Sequence, residues 1–547
     1  MNATSRLALA LLALLLIFAA PPAAWQSGQS HLTAATDVTE QDLLVQPVGA
    51  NWTSYNGDYT GRRYSALKEI DTANVSQLRA AWLFHPGNSE RMEVTPVVVR
   101  GIMYVTSAND AFALDARSGR VLWHHERPVS SGLLDDAAGH KNRGLAVWQN
   151  SVYMETDDAH LLCLDARSGG LRWDVAYADK AKHYGATSAP LVVKGAVIVG
   201  TSGGDSGVRG FVAAYDALTG KRKWRLWTIP GPGEFGSSSW PGDSYLHGGG
   251  TTWMPGTYDP QLDTLYWTTS NAAPDFIGDT RPGDDLYTAS VLAIDASTGR
   301  LKWYFQFTPH DLYDYDANET PVLVDAREQG TVRHLLVQAN RNGFFYVLDR
   351  TNGTFLHANA FVEKVNWAKG IDASGRPMLS GKIPTAKGTY ICPGIDGATN
   401  WFSPSYNPDT GLFYVMALES CSVFFSSPKP FTRGETYYGT GTKLAPDEHA
   451  HKVLLALSVP DGKIVWRYPQ VGRGDSWGGT LTTAGGILFF GDDAGYLEAV
   501  NAHTGRSLWY FNTGQIMHAS PMTYSLNGTQ YVAIASASNL ISFSLPH

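Results

Sequence analysis

Residues 113–123 read Ala-Leu-Asp-Ala-Arg-Ser-Gly-Arg-Val-Leu-Trp, and this stretch decides the fold because copies of it recur along the chain. Its Asp accepts backbone N–H groups and its Gly adopts positive φ, so it predicts a tight hairpin turn between two strands. The Trp that follows is expected to pack between neighbouring sheets. Three clear and three weaker copies follow, at residues 163–173, 214–224, 293–303, 347–357, 456–466 and 499–509.

The spacing of these copies indicates propeller blades. Most lie about 50 residues apart, a period typical of four-stranded blades. The interval of 109 residues between Asp349 and Ser458 is about twice that and contains a strand-like run at 411–416, so we expect a degenerate eighth copy there. A single blade cannot bury both faces, which favours a closed ring; a linear solenoid would need capping repeats, and none is evident. We predict an all-β, eight-bladed β-propeller.

The N-terminus predicts export. Arg6, the apolar run 7–20 and the small residues before position 25 are typical of a signal peptide, here 1–24. An uncleaved anchor is the alternative. Residues 25–547 then form one propeller domain without a membrane span, periplasmic or secreted, and 51–82 should supply the strand that closes the ring. The net charge of −8 and the absence of a basic run disfavour nucleic acid as a partner.

The sequence contains three cysteines. Cys392 and Cys421 lie in one region, and export permits a disulfide between them. Cys163 lies in a strand-like apolar run, where a buried free thiol is expected. No Cys-x-x-Cys-His motif occurs, so we expect no c-type haem on this chain.

Segments outside the repeat indicate the chemistry. They read Arg-Tyr-Ser at 63–65, Asn-Arg-Gly at 142–144, Gly-Gly-Gly-Thr-Thr-Trp at 248–253, Thr-Pro-His-Asp at 308–311 and Ser-Trp-Gly-Gly at 476–479. Together with the repeat, they resemble the quinoprotein alcohol dehydrogenases, which carry pyrroloquinoline quinone (PQQ). The resemblance extends from Trp52 to about Ser542. It implies that an alcohol-type substrate is oxidised to the aldehyde or ketone by hydride transfer to the quinone.

The resemblance also implies a site for a hard cation. Asp205, Asn271 and Asp314 match the family's metal-ligand positions, although Asp205 stands where the family usually has Glu. Asp316 adds a carboxylate two residues after Asp314, on the same side if that segment is extended. An acid at this position resembles the lanthanide-using branch, because more carboxylates balance a trivalent ion better. The sequence leaves calcium and a lanthanide equally open.

Asp314 matches the family's catalytic base, and Trp253 matches the tryptophan that stacks on the quinone. Arg143 and Arg341 are expected to pair with carboxylate and quinone oxygens, as planar guanidinium groups do well. By local motif, the quinone-contacting positions are Glu93, Arg143, Thr187, Ser202, Gly203, Gly204, Trp253, Arg341, Asn400 and Trp477.

Two departures leave the substrate open. Many relatives have adjacent cysteines above the quinone, whereas residues 137–143 contain none, and a tryptophan common in the final blade is missing from 535–539. A sugar, polyol or aldehyde is therefore an alternative substrate, and a cofactor-free envelope scaffold is an alternative function. If the chain is a PQQ-dependent dehydrogenase, its electrons must pass to a separate acceptor, such as a soluble c-type cytochrome. His183, His247 and His310 lack zinc-like spacing, and we do not expect them to bind a metal.

Overall fold

Strands account for almost all regular structure in the computed structural model, which describes residues 37–87, 91–134, 137–328, 331–445, 448–472 and 474–546. The predicted signal peptide lies outside these residues. Apolar and β-branched runs such as Ile102–Ser107 and Ala196–Val199 are buried along their whole length, as expected for strands covered on both faces. The all-β prediction is confirmed.

Eight antiparallel sheets form in the described part of the chain, seven with four strands and one with four strands and an added parallel fifth, consistent with the predicted eight blades. We number them as blades 1 to 8. Their strands are Val97–Val99, Ile102–Ser107, Asp110–Asp115 and Val121–His125 (blade 1); Leu145–Trp148, Ser151–Glu155, His160–Asp165 and Leu171–Ala176 (blade 2); Leu191–Val193, Ala196–Val199, Phe211–Asp216 and Arg222–Trp227 (blade 3); Thr257–Asp259, Thr264–Thr268, Ser290–Asp295 and Leu301–Gln306 (blade 4); Val322–Glu328, Thr331–Ala339, Phe344–Asp349 and Phe355–Ala360 (blade 5); Ser405–Asn407, Leu412–Glu419, His451–Ser458 and Ile464–Pro469 (blade 6); Thr480–Thr483, Ile487–Gly491, Tyr496–Asn501 and Ser507–Asn512 (blade 7); and Met522–Leu526, Thr529–Ser536, Asn539–Ser544 and Arg79–Phe84 (blade 8).

Smaller elements connect and decorate the blades. Tyr64–Ser65 adds a parallel strand to blade 7, Ala368–Ile371 pairs with Pro377–Leu379, and Thr389–Ile391 forms a sheet with Ser422–Ser426 and Thr440–Leu444. Among the residues that the structure describes, helical structure is limited to short pieces, namely the α-helix Glu40–Leu43 and the 3₁₀ turns Val75–Gln77, Lys180–Lys182, Gly204–Ser206, Ser237–Ser239 and Ser244–His247.

The repeat turn and its tryptophan join neighbouring blades. Asp115 accepts the backbone N–H groups of Arg117 and Ser118 at 2.8 and 3.2 Å, and Gly119 has a φ of 71°. Trp123 donates its indole N–H to the carbonyl of Ala166, which follows the repeat Asp of blade 2, at 2.9 Å. The ring of Trp123 covers Gly169, where a side chain would collide with it. The predicted role of the tryptophan between sheets is confirmed.

Blade 8 closes the ring without a copy of the repeat. Its fourth strand, Arg79–Phe84, comes from the N-terminal region and pairs antiparallel with Asn539–Ser544, as predicted for residues 51–82. Trp82 donates to the carbonyl of Ala116 at 3.1 Å and so joins blade 8 to blade 1. The predicted degenerate copy between Asp349 and Ser458 is wrong. That interval holds one blade, lengthened by residues 361–404 and by an insertion between Leu412–Glu419 and His451–Ser458.

Cys392 and Cys421 form the predicted disulfide, and Cys163 is a buried free thiol. The bond joins the insertion before blade 6 to the insertion within it, across a separation of 29 residues. It packs against Ala445 and Val423.

We expect that replacing both Cys392 and Cys421 with serine lowers the free energy of unfolding by about 3 to 4 kcal/mol, the usual effect of a crosslink over a loop of this length. Thermal unfolding with and without reductant measures the effect. Reductant should lower the melting temperature of the wild type and leave that of the double variant unchanged. A wild-type melting temperature that does not respond to reductant would contradict the prediction.

Candidate active site

The residues that precede the first strands of successive blades meet around one cavity of about 400 Å³. Trp253 precedes blade 4, Asp316 precedes blade 5 and Trp477 precedes blade 7, so ring closure brings together residues far apart in sequence. Of the fourteen residues predicted for the site, all except Asn271 line this cavity, namely Glu93, Arg143, Thr187, Ser202, Gly203, Gly204, Asp205, Trp253, Asp314, Asp316, Arg341, Asn400 and Trp477. Their contacts with a cofactor or ion stay predictions.

Glycines let backbone approach the cavity closely. Gly203 has a φ of 95°, and Gly249 and Gly250 have φ values of 76° and 63°, conformations that other residues rarely adopt. A Cβ at Gly204 would lie 3.0 Å from the Thr251 hydroxyl, which also lines the cavity. These turns therefore need glycine both for backbone conformation and for space.

Arg143 lies between two tryptophans. Its guanidinium carbon is 4.9 Å from the ring centre of Trp253 and 4.5 Å from that of Trp401. It also forms an ion pair with Glu93 at 2.6 Å and donates to the Thr187 hydroxyl at 2.6 Å. Sequence reasoning missed Trp401, although it directly follows the predicted Asn400. An aromatic floor with a fixed cation suits a flat, anionic ligand.

Two further basic residues that were not predicted from the sequence, Arg91 and Lys141, also line the cavity. Arg91 lies 3.0 Å from Glu93, which thus pairs with two arginines. With Arg143 and Arg341 they give the cavity four basic groups. The donor set fits PQQ, a planar tricyclic quinone with three carboxylates, because it offers aromatic faces together with cations.

The loop that carries Asp314 is shaped by Asp311. The carboxylate of Asp311 accepts the backbone N–H groups of Tyr313 and Tyr315 at 3.1 and 2.9 Å, and burial raises the pKa of Asp311 to about 6. Asp314, between the two tyrosines, has a φ of 61°, so the expectation of an extended segment is wrong at this residue. The turn directs the Asp314 carboxylate towards the Arg341 guanidinium, 3.2 Å away.

Asp316 nevertheless lies on the same side as Asp314, because Arg341 contacts both. The Arg341 guanidinium is 3.4 Å from the Asp316 carboxylate. That carboxylate also accepts the Asn271 backbone N–H at 2.6 Å and the Trp253 indole N–H at 3.1 Å. Asp316 thereby connects the stacking tryptophan, the predicted amide ligand and the arginine. The side-chain nitrogen of Asn271 is buried and has no hydrogen-bond partner.

A carboxylate that sequence reasoning missed completes the acidic cluster. Oxygens of Asp205, Asp275 and Asp314 all lie within 4.8 Å of one another. Burial raises the pKa of Asp275 well above its usual value, and the neighbouring charges of Asp205 and Asp314 add to the increase. Burial likewise raises the pKa of Asp314, Arg341 opposes this, and Asp316 and Asp205 reinforce it. Such a cluster is stabilised by a cation.

The spacing of these oxygens fits a hard cation. Ca²⁺ lies about 2.3–2.6 Å from oxygen ligands, so two ligands of one ion can be up to about 5 Å apart. The separations within 4.8 Å satisfy this limit without movement of the backbone. The residues present therefore suit calcium or a lanthanide.

The wall where relatives have adjacent cysteines is built from small residues. Ala138 lines the cavity. The carbonyl of the preceding Ala137 accepts the Ser202 hydroxyl, and it lies so close to Gly185 that no side chain would fit there. The segment thus packs against the glycine-rich turn without a crosslink.

Comparison with known proteins agrees with this site. The family model described as "Glucose/ethanol/alcohol dehydrogenase, beta-propeller domain", named PQQ, matches residues 52–360 and 469–532. Quinohemoprotein alcohol dehydrogenase ADH IIB of Pseudomonas putida is 40% identical over 95% of this chain and 77% of its own. A lanthanide-dependent methanol dehydrogenase of Methylorubrum extorquens is 35% identical over 88% of this chain and 85% of its own.

A solved europium-containing methanol dehydrogenase superposes with a TM-score of 0.85 at 32% identity, over 92% of this chain and 99% of that one. Within the residues that the structure describes, no helix has the length and apolar character required to cross a bilayer. The matched family, the full-length relatives and the shared fold lead to one assignment: this chain belongs to the family of PQQ-dependent alcohol dehydrogenases and is an oxidoreductase.

Proposed function

We propose that this protein oxidises an alcohol to the aldehyde or ketone, with Asp314 as general base and with PQQ and a calcium or lanthanide ion as cofactors. The observation that carries the proposal is the convergence of Asp205, Asp314, Arg341 and Trp253 on one cavity. When bound, the quinone accepts the hydride and the cation supplies Lewis acidity. The protein supplies position, charge and a proton acceptor.

Asp314 is placed to accept the hydroxyl proton of the substrate. Its carboxylate lines the cavity and is held by Arg341 at 3.2 Å. Arg341 is fixed in turn by donating to the carbonyl of Ile395 at 2.7 Å, so the base and its partner have defined positions. A positioned general base contributes about 10²–10⁴-fold to rate.

The same architecture supports binding of the quinone. The four basic groups of the cavity would be available to pair with its carboxylates, and Trp253 is fixed through its indole N–H to Asp316. We infer that Arg91 and Lys141 act with the predicted Arg143 and Arg341 in this role.

Electrons are expected to leave through a separate acceptor such as a c-type cytochrome, since the chain has no haem-attachment motif. With the export signal predicted at 1–24, the periplasm or the cell exterior is the proposed location.

Reconstitution tests the function. Purified protein would be freed of metal with a chelator, supplied with PQQ and either Ca²⁺ or La³⁺, and assayed with an artificial electron acceptor. Primary and secondary alcohols should be oxidised, and polyols, sugars and aldehydes should react more slowly. Failure to bind quinone with either ion would leave the envelope scaffold as the better hypothesis. Faster oxidation of a polyol, sugar or aldehyde would favour the alternative substrates.

We expect Trp253→Ala to weaken PQQ binding by about two- to tenfold, because a lost aromatic stacking contact costs about 0.5–1.5 kcal/mol. An absorbance titration of the protein with PQQ measures this. Trp227→Ala is the matched control, since Arg209 lies over its ring at 4.5 Å but Trp227 does not line the cavity. An unchanged affinity in the Trp253 variant would show that the quinone is not stacked on this residue.

A further inference from the structure

Asp275 is a buried carboxylate with an unsatisfied oxygen. Its exposed fraction is 2%, and its Oδ1 has no hydrogen-bond partner. Leaving a buried charged group without partners is costly, and such groups usually pair or bind a metal. Its acidic neighbours include Asp205 and Asp314, whose carboxylate oxygens lie within 4.8 Å.

The backbone holds Asp275 in this place. The next residue, Phe276, donates its N–H to the carbonyl of Tyr438 at 3.0 Å. The Arg281 guanidinium donates to the carbonyls of Pro274 and Asp275 at 3.1 and 3.4 Å, and to that of Asp311 at 2.6 Å. One side chain thus fixes the loop of Asp275 relative to the loop that carries Asp314. The backbones of the two loops cannot separate without disrupting these contacts.

We propose that Asp275 is a direct ligand of the ion, together with Asp205 and Asp314, and that it biases the site towards a trivalent ion. This inference rests on the proposed function of the cavity.

The charge of the acidic cluster supports the proposed preference for a trivalent ion. When all four are ionised, Asp205, Asp275, Asp314 and Asp316 carry four negative charges, and Arg341, which contacts two of them, carries one positive charge. A trivalent ion balances the remaining charge of −3. A divalent ion leaves this group of four carboxylates and Arg341 one charge short of neutrality, because Arg91 and Arg143 pair with Glu93 and Arg281 pairs with Asp285.

The test uses metal binding by the quinone-free chain, with Tb³⁺ and Ca²⁺ each added alone. Trp253 is 3.1 Å from the Asp316 carboxylate and can sensitise Tb³⁺ luminescence; Ca²⁺ is measured by calorimetry. Asp275→Asn should weaken binding of both ions, and the loss should be about tenfold greater for Tb³⁺, because one unit of ligand charge interacts more strongly with a trivalent ion. Asp279→Asn, an exposed acid in the same loop, should change neither affinity.

Thermal unfolding without metal separates a ligand from a structural residue. Removing one of several like charges should leave the metal-free melting temperature of Asp275→Asn equal to or above that of the wild type, while Tb³⁺ should raise it less. A lower metal-free melting temperature, an unchanged Tb³⁺ affinity, or equal losses for the two ions would overturn the proposal for Asp275. A wild-type protein that binds neither ion, with or without PQQ, would overturn the proposed function as well.

Discussion

Asp314→Asn should lower the turnover number for alcohol oxidation by at least about 10²–10⁴-fold, the usual contribution of a general base. Asparagine keeps the shape of the side chain but cannot accept the hydroxyl proton. It can still meet the Arg341 guanidinium through its amide oxygen, which now carries no charge. The loop should persist because its turn is formed by Asp311. We therefore expect PQQ affinity to change little.

The measurement is turnover with saturating PQQ and a saturating ion, because Asp314 also belongs to the acidic cluster and its loss will weaken metal binding. Asp279→Asn makes the same chemical change at an exposed position and should retain wild-type turnover. Turnover near the wild-type value in the Asp314 variant, once the ion is saturating, would exclude this residue as the base.

Arg281→Met should lower the free energy of unfolding by about 3–5 kcal/mol, because it removes the arginine partner of the buried Asp285 carboxylate. Arg281 and Asp285 are 1% and 0% exposed and form an ion pair. The other nearby base, His310, lies 3.1 Å from the same Asp285 carboxylate. Since Arg281 also fixes the loops of Asp275 and Asp314, metal affinity should fall together with stability.

Thermal unfolding of metal-free protein measures the first effect and Tb³⁺ luminescence the second. Arg376→Met is the matched control: Arg376 forms a two-bond ion pair with Asp284, at 2.8 and 2.9 Å, but both side chains are exposed. Exposed pairs contribute about 0–1 kcal/mol, so this variant should be nearly as stable as the wild type. Equal losses in the two variants would mean that burial of the Arg281 pair has no special effect.

The ring could be predicted from the sequence because a local turn repeats. Asp115 and Gly119 form their hairpin, and Trp123 makes the contact with the next blade. These interactions are local and do not depend on the residues between two copies of the motif. The eighth blade escaped this reasoning because its turns lack the motif. The long interval before Ser458 wrongly predicted an additional copy of the motif, because an insertion within a blade lengthens the spacing as much as an additional blade would.

The cavity lining was predictable where residues sit in recognisable motifs, as Arg143 and Trp253 do. Asp275 belongs to no motif. It is brought to Asp205 by two backbone hydrogen bonds, from the Phe276 N–H to the Tyr438 carbonyl and from the Tyr437 N–H to the Asp205 carbonyl, between segments that carry no pattern to pair them. Arg281 was missed for a similar reason, because an isolated arginine in a loop is usually a solvated surface group, and only the fold buries it.

The pairing of Arg79–Phe84 with Asn539–Ser544 affects the order in which the protein can fold. During synthesis, Arg79–Phe84 has no sheet partner until Asn539–Ser544 has been made. Because the two strands are so far apart in sequence, their pairing is expected to be a slow step of folding. The cavity is lined by residues from nearly every blade, so the complete set of cofactor contacts exists only after these blades have assembled.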